Sequence, residues 1–227
     1  MTKLDHVAVT LAGIAYEKLR ADLLSCRIAP GAPIKIKELS ETLATNPIAI
    51  REALSRLSSE GLVVSEPQKG FRAAPISSED LLDLTNVRIE IECMSLKSAM
   101  RNGGEDWEIS IVGALHRLQR TKLRDKQDPD RTSDAWAAAH TKFHSALADG
   151  CTSAVLKEIR QQLFARSERY RRLSVPLDMS SRSLNFEHDE LAKLVLARDE
   201  ERAITAMTKH LRLTTDILLQ SFFGSTS

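Results

Sequence analysis

The stretch Asn46-Pro47-Ile48-Ala49-Ile50-Arg51-Glu52-Ala53-Leu54-Ser55-Arg56-Leu57, followed by Glu60-Gly61-Leu62-Val63-Val64, decides how the chain is read. Asn46 has the side chain of an N-cap, and Pro47 suits the first helical position, where its missing N–H costs nothing. Ile50, Ala53, Leu54 and Leu57 then fall on one helical face, with Arg51 and Ser55 on another. Gly61 stops the helix. Upstream, Ile36, Leu39 and Leu43 mark a short helix, and Ala44-Thr45 turns the chain. Further back, Leu11, Ala15, Leu19 and Leu23 recur every four residues as one apolar stripe, which Pro30-Gly31 ends. Downstream, Leu62-Val63-Val64 and Phe71-Arg72-Ala73-Ala74 pair as a hairpin around Pro67-Gln68-Lys69-Gly70. Three helices and a two-stranded wing predict a winged helix-turn-helix over residues 1–75. Its second and third helices are short and closely joined, as docking in a DNA major groove requires.

Beyond Ser77 the texture changes. Five of the seven prolines lie in the first 75 residues, and the rest of the chain reads as long amphipathic helices. Breaks are expected near Asn102-Gly103-Gly104, Asp128-Pro129-Asp130, Asp149-Gly150 and Ser174-Val175-Pro176. The expected fold is mainly α, with residues 76–227 forming an antiparallel helical bundle. Leu and Ala supply 30 and 25 of the 227 residues, which agrees with that expectation.

Lys and Arg number 32 against 31 acids, so a wholly basic nucleic-acid coat, an acidic tail protein and a disordered chain are excluded. Residues 1–75 carry a net +2 and the remainder −1. DNA affinity must therefore come from placement: Lys35 and Lys37 before the second helix, Arg51 within the third, and Lys69 and Arg72 around the wing. Cys26, Cys93 and Cys151 are scattered with no CxxC pair, so neither a disulfide framework nor a zinc knuckle is expected. No stretch is long and apolar enough for a membrane span, and a reducing cytoplasm is the expected compartment.

Four of the six histidines fall on apolar stripes. Trp136, His140, Phe143, His144 and Leu147 share one helical face, with two imidazoles at i and i+4. Leu184, His188, Leu191 and Val195 form a second stripe, and Ala203, Met207, His210 and Leu211 a third. Buried imidazoles resist charging and need partners, and one shared divalent cation satisfies several at once. Structural histidines, each hydrogen-bonded in the core, are the alternative. His116 reads as flanking and His6 as part of the N-terminal tail.

The run from Tyr16 to Ala74 resembles the DNA-binding domain of GntR-family bacterial transcription regulators. The likeness rests on Ile28-Ala29-Pro30-Gly31, Ile50-Arg51-Glu52-Ala53-Leu54, Leu57, Glu60-Gly61-Leu62-Val63 and Gly70. Residues from about Asp80 to Ser221 resemble the FCD ligand-binding domain of the FadR subfamily, a bundle of six or seven helices. Phe143-His144, Glu187-His188 and His210-Leu211 match the motifs of its metal-binding members, whose Asp is replaced here by His140.

The resemblance implies a dimeric, sequence-specific DNA-binding regulator, a repressor or an activator with repression the leading expectation, controlled by a small carboxylate effector. Its DNA-binding residues would be Lys37, Asn46, Ile48, Arg51, Lys69 and Gly70. The family's Ser-Arg-Thr-Pro-like helix start is Asn46-Pro47-Ile48-Ala49 here, so the Arg that often meets a guanine is absent. His144, His188 and His210 would hold a divalent metal with His140 as substitute fourth ligand. That all-imidazole set favours Zn or Ni over Mg or Ca. Arg88 matches the family's effector-facing Arg, and its fork suits a carboxylate. An Arg88–Glu92 surface pair is the competing reading. Two alternatives stand beside this function: a bundle that only dimerises, and a metal-dependent hydrolase. Against the hydrolase, Thr141 occupies the place where such a helix needs a general-base Glu. No enzyme is expected.

Overall fold

In the computed structural model, which describes residues 10–174 and 183–224, helices start where a short polar side chain accepts an otherwise free backbone N–H. Thr10 caps α1 (Leu11–Leu24) and Asn46 caps α3 (Pro47–Ser59), its Oδ1 accepting from Ala49 N at 2.8 Å. Between them, α2 (Ile36–Thr42) ends at Leu43, and Ala44 turns the chain with φ 47°. Ile50, Ala53, Leu54 and Leu57 of α3 are buried against Leu19 and Leu23 of α1. The α1 stripe differs from expectation at its first member: Leu11 is exposed and Ala12 buried instead. A four-residue spacing overshoots the 3.6-residue turn, so the stripe rotates outward over three turns.

The wing is β2 (Val63–Glu66) against β3 (Gly70–Ala73), in register from Val63↔Ala73 to Glu66↔Gly70. A third strand, β1 (Pro33–Ile34), joins the other edge of β3 and completes an antiparallel sheet of order β1-β3-β2. Gln68 (φ 64°) and Gly70 (φ 85°) both take left-handed backbone at the wing tip. The chain divides into two units between Ile76 and Ser77.

Ser77 opens the second unit by capping α4 (Ser78–Asn102). Then follow α5 (Glu105–Arg120), α6 (Asp134–Asp149), α7 (Ala154–Ser174), α8 (Leu184–Leu196) and α9 (Glu200–Leu218), which runs into a π-helical turn at Leu219–Phe223. Among the described residues this unit therefore holds six α-helices and no strand. The breaks at Gly103-Gly104 and Gly150 separate helices, and Pro129 sits in the loop between α5 and α6. Val175-Pro176 and His6 lie outside the described residues. Leu96, Ile111, Leu118, Phe143, Leu147, Leu191 and Val195 fill the core. Trp107 docks α5 on α6 by donating Nε1–H to the Ala146 carbonyl at 2.9 Å. Neighbouring chain ends meet without side chains: a Cβ on Gly150 would lie 2.9 Å from the Ala99 carbonyl and 3.1 Å from Gly103 Cα. Among the described residues, no helix is long and apolar enough to cross a membrane.

Candidate metal centre and nucleic-acid interface

The four histidines come from three helices and meet in the bundle interior. His140 and His144 lie one turn apart on α6, His188 in the first half of α8 and His210 in the second half of α9. All four are buried, and each offers one ring nitrogen such that these atoms lie within 4.8 Å of one another. Trp136 stacks on His140 at 4.8 Å, and Phe143 meets His188 edge-on at 5.2 Å, so aromatic packing fixes the rings.

Polar accounting singles out this cluster. Both ring nitrogens of His144 and Nδ1 of His140 are buried without a hydrogen-bond partner. Such groups cost on the order of 1–3 kcal/mol each if nothing satisfies them. Burial, and next the neighbouring imidazoles, hold His140 and His144 well below their ordinary pKa of 6.5, with Arg171, and Arg88 and Arg160, adding to the effect. These two imidazoles are thus neutral, with lone pairs available, which is the protonation state a metal requires. His210 Nδ1 pairs with Glu187 Oε2 at 2.7 Å, and a carboxylate behind a ring in this way fixes the tautomer and turns Nε2 toward the cluster. The donor set therefore fits a transition metal that accepts nitrogen ligands.

Beside the cluster lies a cavity of about 40 Å³, lined by His140, His210, Arg88, Arg171, Thr85 and Thr215 among others. Each ordered water needs at least about 10–15 Å³ by this measure, so a few waters or a small anion fit. Arg88 reaches Glu92 at 3.3 Å, as the competing reading of the sequence expected, but the pair is buried rather than on the surface. Glu92 also binds Arg160 at 2.6 Å, and Arg160 donates to the His144 carbonyl at 2.5 Å. An Arg–Glu–Arg triad thus ties α4 and α7 to α6. Burial pulls the Arg88 guanidinium down from its usual pKa, partly opposed by Glu92, yet it stays a cation.

Arg171 and Arg160 escaped the sequence reading, and Glu187 entered it only as the neighbour of His188. Arg171 lies over the Trp136 ring at 4.9 Å, donates from Nε to Glu168 at 3.0 Å, and keeps a buried Nη1 without a partner. Arg171 lines the cavity as a second guanidinium beside Arg88.

In the first unit, Lys37, Asn46, Ile48, Arg51, Lys69 and Gly70 are all exposed. Arg51 does not pair with Glu52 or Glu41, and forms no ion pair among the described residues. The Asn46 oxygen is committed to the α3 cap, which leaves only its amide N–H groups to donate. Arg72 is tied to the Gly31 carbonyl at 2.5 Å and to Glu66 at 3.4 Å, so it holds the sheet together. Gly70 has no atom within 4 Å of a would-be Cβ.

Residues 11–72 match the model for bacterial regulatory proteins of the gntR family, and residues 83–213 match the FCD domain. The chain belongs to the GntR family. Its FCD domain follows the winged helix, as the paired matches require. The HTH-type transcriptional regulator BphR of Paraburkholderia xenovorans (strain LB400) is 33% identical over 93% of this chain and 86% of its own length. The HTH-type transcriptional repressor GlaR of Escherichia coli (strain K12) is 32% identical over 92% of this chain and 96% of its own. Among solved structures, E. coli McbR/YncC shares the fold at TM-score 0.77 and 22% identity, covering 94% of this chain and 99% of that one. This GntR-family chain is accordingly a DNA-binding transcription regulator with an FCD domain, and its relatives are regulators rather than enzymes.

Proposed function

We propose that the protein is a metabolite-responsive repressor in which the FCD bundle binds a transition metal and, beside it, a small carboxylate. The observation that carries this reading is the buried His140–His144–His188–His210 cluster, with unpartnered nitrogens on His140 and His144, next to a cavity lined by Arg88 and Arg171. His144, His188 and His210 would hold the metal, with His140 as fourth ligand. Four imidazole ligands favour Zn or Ni over oxygen-seeking Mg or Ca. When bound, the metal supplies a positive centre that attracts an anionic ligand. Arg88 and the free Nη1 of Arg171 orient that anion, while Glu92 and Glu168 keep both guanidiniums in place.

The winged helix would bind operator DNA through Lys37, Asn46, Ile48, Arg51, Lys69 and Gly70. A homodimer supplies two such readers and hence a pseudo-palindromic operator. The α4–α7 pair is antiparallel, with Glu92 opposite Arg160 and Asp80 opposite Arg166. It exposes Val87, Met94, Val155 and Ile159, a surface suited to a second copy. Effector binding then biases how the dimer presents its two winged helices.

A bundle that only dimerises would bury the His144 nitrogens at a cost with no return. Thermal-shift titration separates the two readings. Zn or Ni should raise the melting temperature of metal-stripped protein, and small carboxylates should raise it further. Arg88→Gln should abolish the carboxylate increment and keep the metal one. A melting temperature indifferent to both additions would refute the proposal.

A further inference from the structure

Ile48 is the large apolar side chain left on the solvent face of α3, and at 77% it is more exposed than any other large hydrophobic described. Its helix buries Ala49, Ile50, Ala53, Leu54 and Leu57, and the opposite face runs Ile48, Arg51, Glu52, Ser55, Ser59. Apart from Ile48 that face is polar. The Asn46 cap and Pro47 fix the first turn, so Ile48 is presented on a rigid frame. A β-branched side chain in a helix holds nearly one rotamer, so docking it loses little side-chain entropy.

In a helix-turn-helix the N-terminal residues of the recognition helix meet base edges in the major groove. Only one base presents an apolar group there, thymine with its C5 methyl; every other edge is a hydrogen-bond donor or acceptor. One turn on, Arg51 and Glu52 carry the groups that suit a guanine edge and a cytosine amino group, respectively.

We propose that Ile48 reads a thymine through its 5-methyl group, so that each operator half-site opens on an apolar contact. The inference rests on α3 being the major-groove helix, as the proposed function holds. It sets this chain apart from a regulator whose helix begins with a base-reading Arg, because Pro47 and Ile48 leave no cation in the first turn of α3.

The test uses full-length protein and a duplex chosen by repeated selection from randomised DNA. Each thymine is then replaced in turn by deoxyuridine, which removes the methyl and leaves the pairing edge intact. At one position per half-site affinity should fall about fourfold, and on the order of tenfold when both half-sites are changed, the scale of one buried methyl group per site. Ile48→Ala should weaken binding to the thymine duplex and make the thymine and uracil duplexes equivalent. Because Ile48 is exposed and lies outside the core of its unit, this variant should keep the wild-type circular dichroism spectrum.

Two results would overturn the inference while leaving DNA binding intact. One is a selected duplex in which no uracil substitution matters. The other is a uracil effect that survives in Ile48→Ala, which would assign the methyl contact to another residue. Failure to select any duplex would overturn the DNA-interface reading itself, and this inference with it.

Discussion

Glu92→Gln removes a single negative charge from between two buried guanidiniums. The Glu92 side chain is 2% exposed, that of Arg160 6% and that of Arg88 12%. Breaking a buried pair by removing one partner costs about 3–5 kcal/mol, because the remaining charge is left uncompensated. Glutamine keeps one acceptor oxygen for Arg160, and the 3.3 Å contact to Arg88 is the weaker of the two. The lower end, about 3 kcal/mol, is therefore expected. Both tryptophans, Trp107 and Trp136, are buried in the second unit, so their fluorescence reports that unit's unfolding alone. With a urea m-value of roughly 2 kcal/mol/M, the midpoint should drop by about 1.5 M at unchanged m. Glu200→Gln is the control. Glu200 pairs with Arg101 and Lys97 at the surface, and its loss should cost only about 0.5 kcal/mol. Formate or acetate should stabilise Glu92→Gln more than wild type, since Arg88 then lacks its own carboxylate. A Glu92→Gln midpoint no lower than that of Glu200→Gln would refute the reasoning: the triad would not be a buried, mutually compensating unit.

Arg51→Ala should weaken operator binding by about 1–3 kcal/mol and relax preference at one base pair per half-site, read by gel-shift titration against single-base variants. Lys69→Ala should weaken all sequences alike and reduce the salt slope of log affinity by about 1 for each phosphate it no longer neutralises. Gly150→Ala should destabilise the second unit by about 1–3 kcal/mol, because the added methyl meets the Ala99 carbonyl and Gly103 Cα rather than a yielding side chain; a thermal scan checks this. Metal-stripped protein should keep its full histidine-linked stability above about pH 6.5. It should lose that stability as pH falls, since His140 and His144 stay neutral in the fold while the unfolded chain takes up protons. Urea midpoints that stay flat from pH 7.5 to 5.5 would contradict this.

The parts of the fold written locally were legible. The α3 start is carried by Asn46 and Pro47, its end by Gly61, and its buried face by a 3.6-residue repeat. Strand β1 was not legible. Two residues, one of them proline, carry no period, and Pro33-Ile34 become a strand only because β3 offers a free edge. The gathering of the four histidines could be expected because each lay on an apolar stripe, and inward stripes of one bundle converge. Arg160 and Arg171 were invisible for the opposite reason. They lie in the polar stretch Glu158–Arg172, and what buries them is Glu92 on α4, Glu168 on their own helix and the Trp136 ring on α6. The Arg88–Glu92 spacing announced a pair but not its burial, which depends on α7 covering it. Ile48 was visible as a residue, but its exposure emerged only once the other apolar residues of α3 had been assigned to the core.

The most direct test of the account is elemental analysis of full-length protein beside a His144→Ala/His188→Ala double variant, both exposed to Zn or Ni and dialysed. About one bound ion per chain is expected in the wild type. None is expected in the variant, whose helical circular dichroism should persist. Equal metal content in the two proteins, or none in either, would contradict the account.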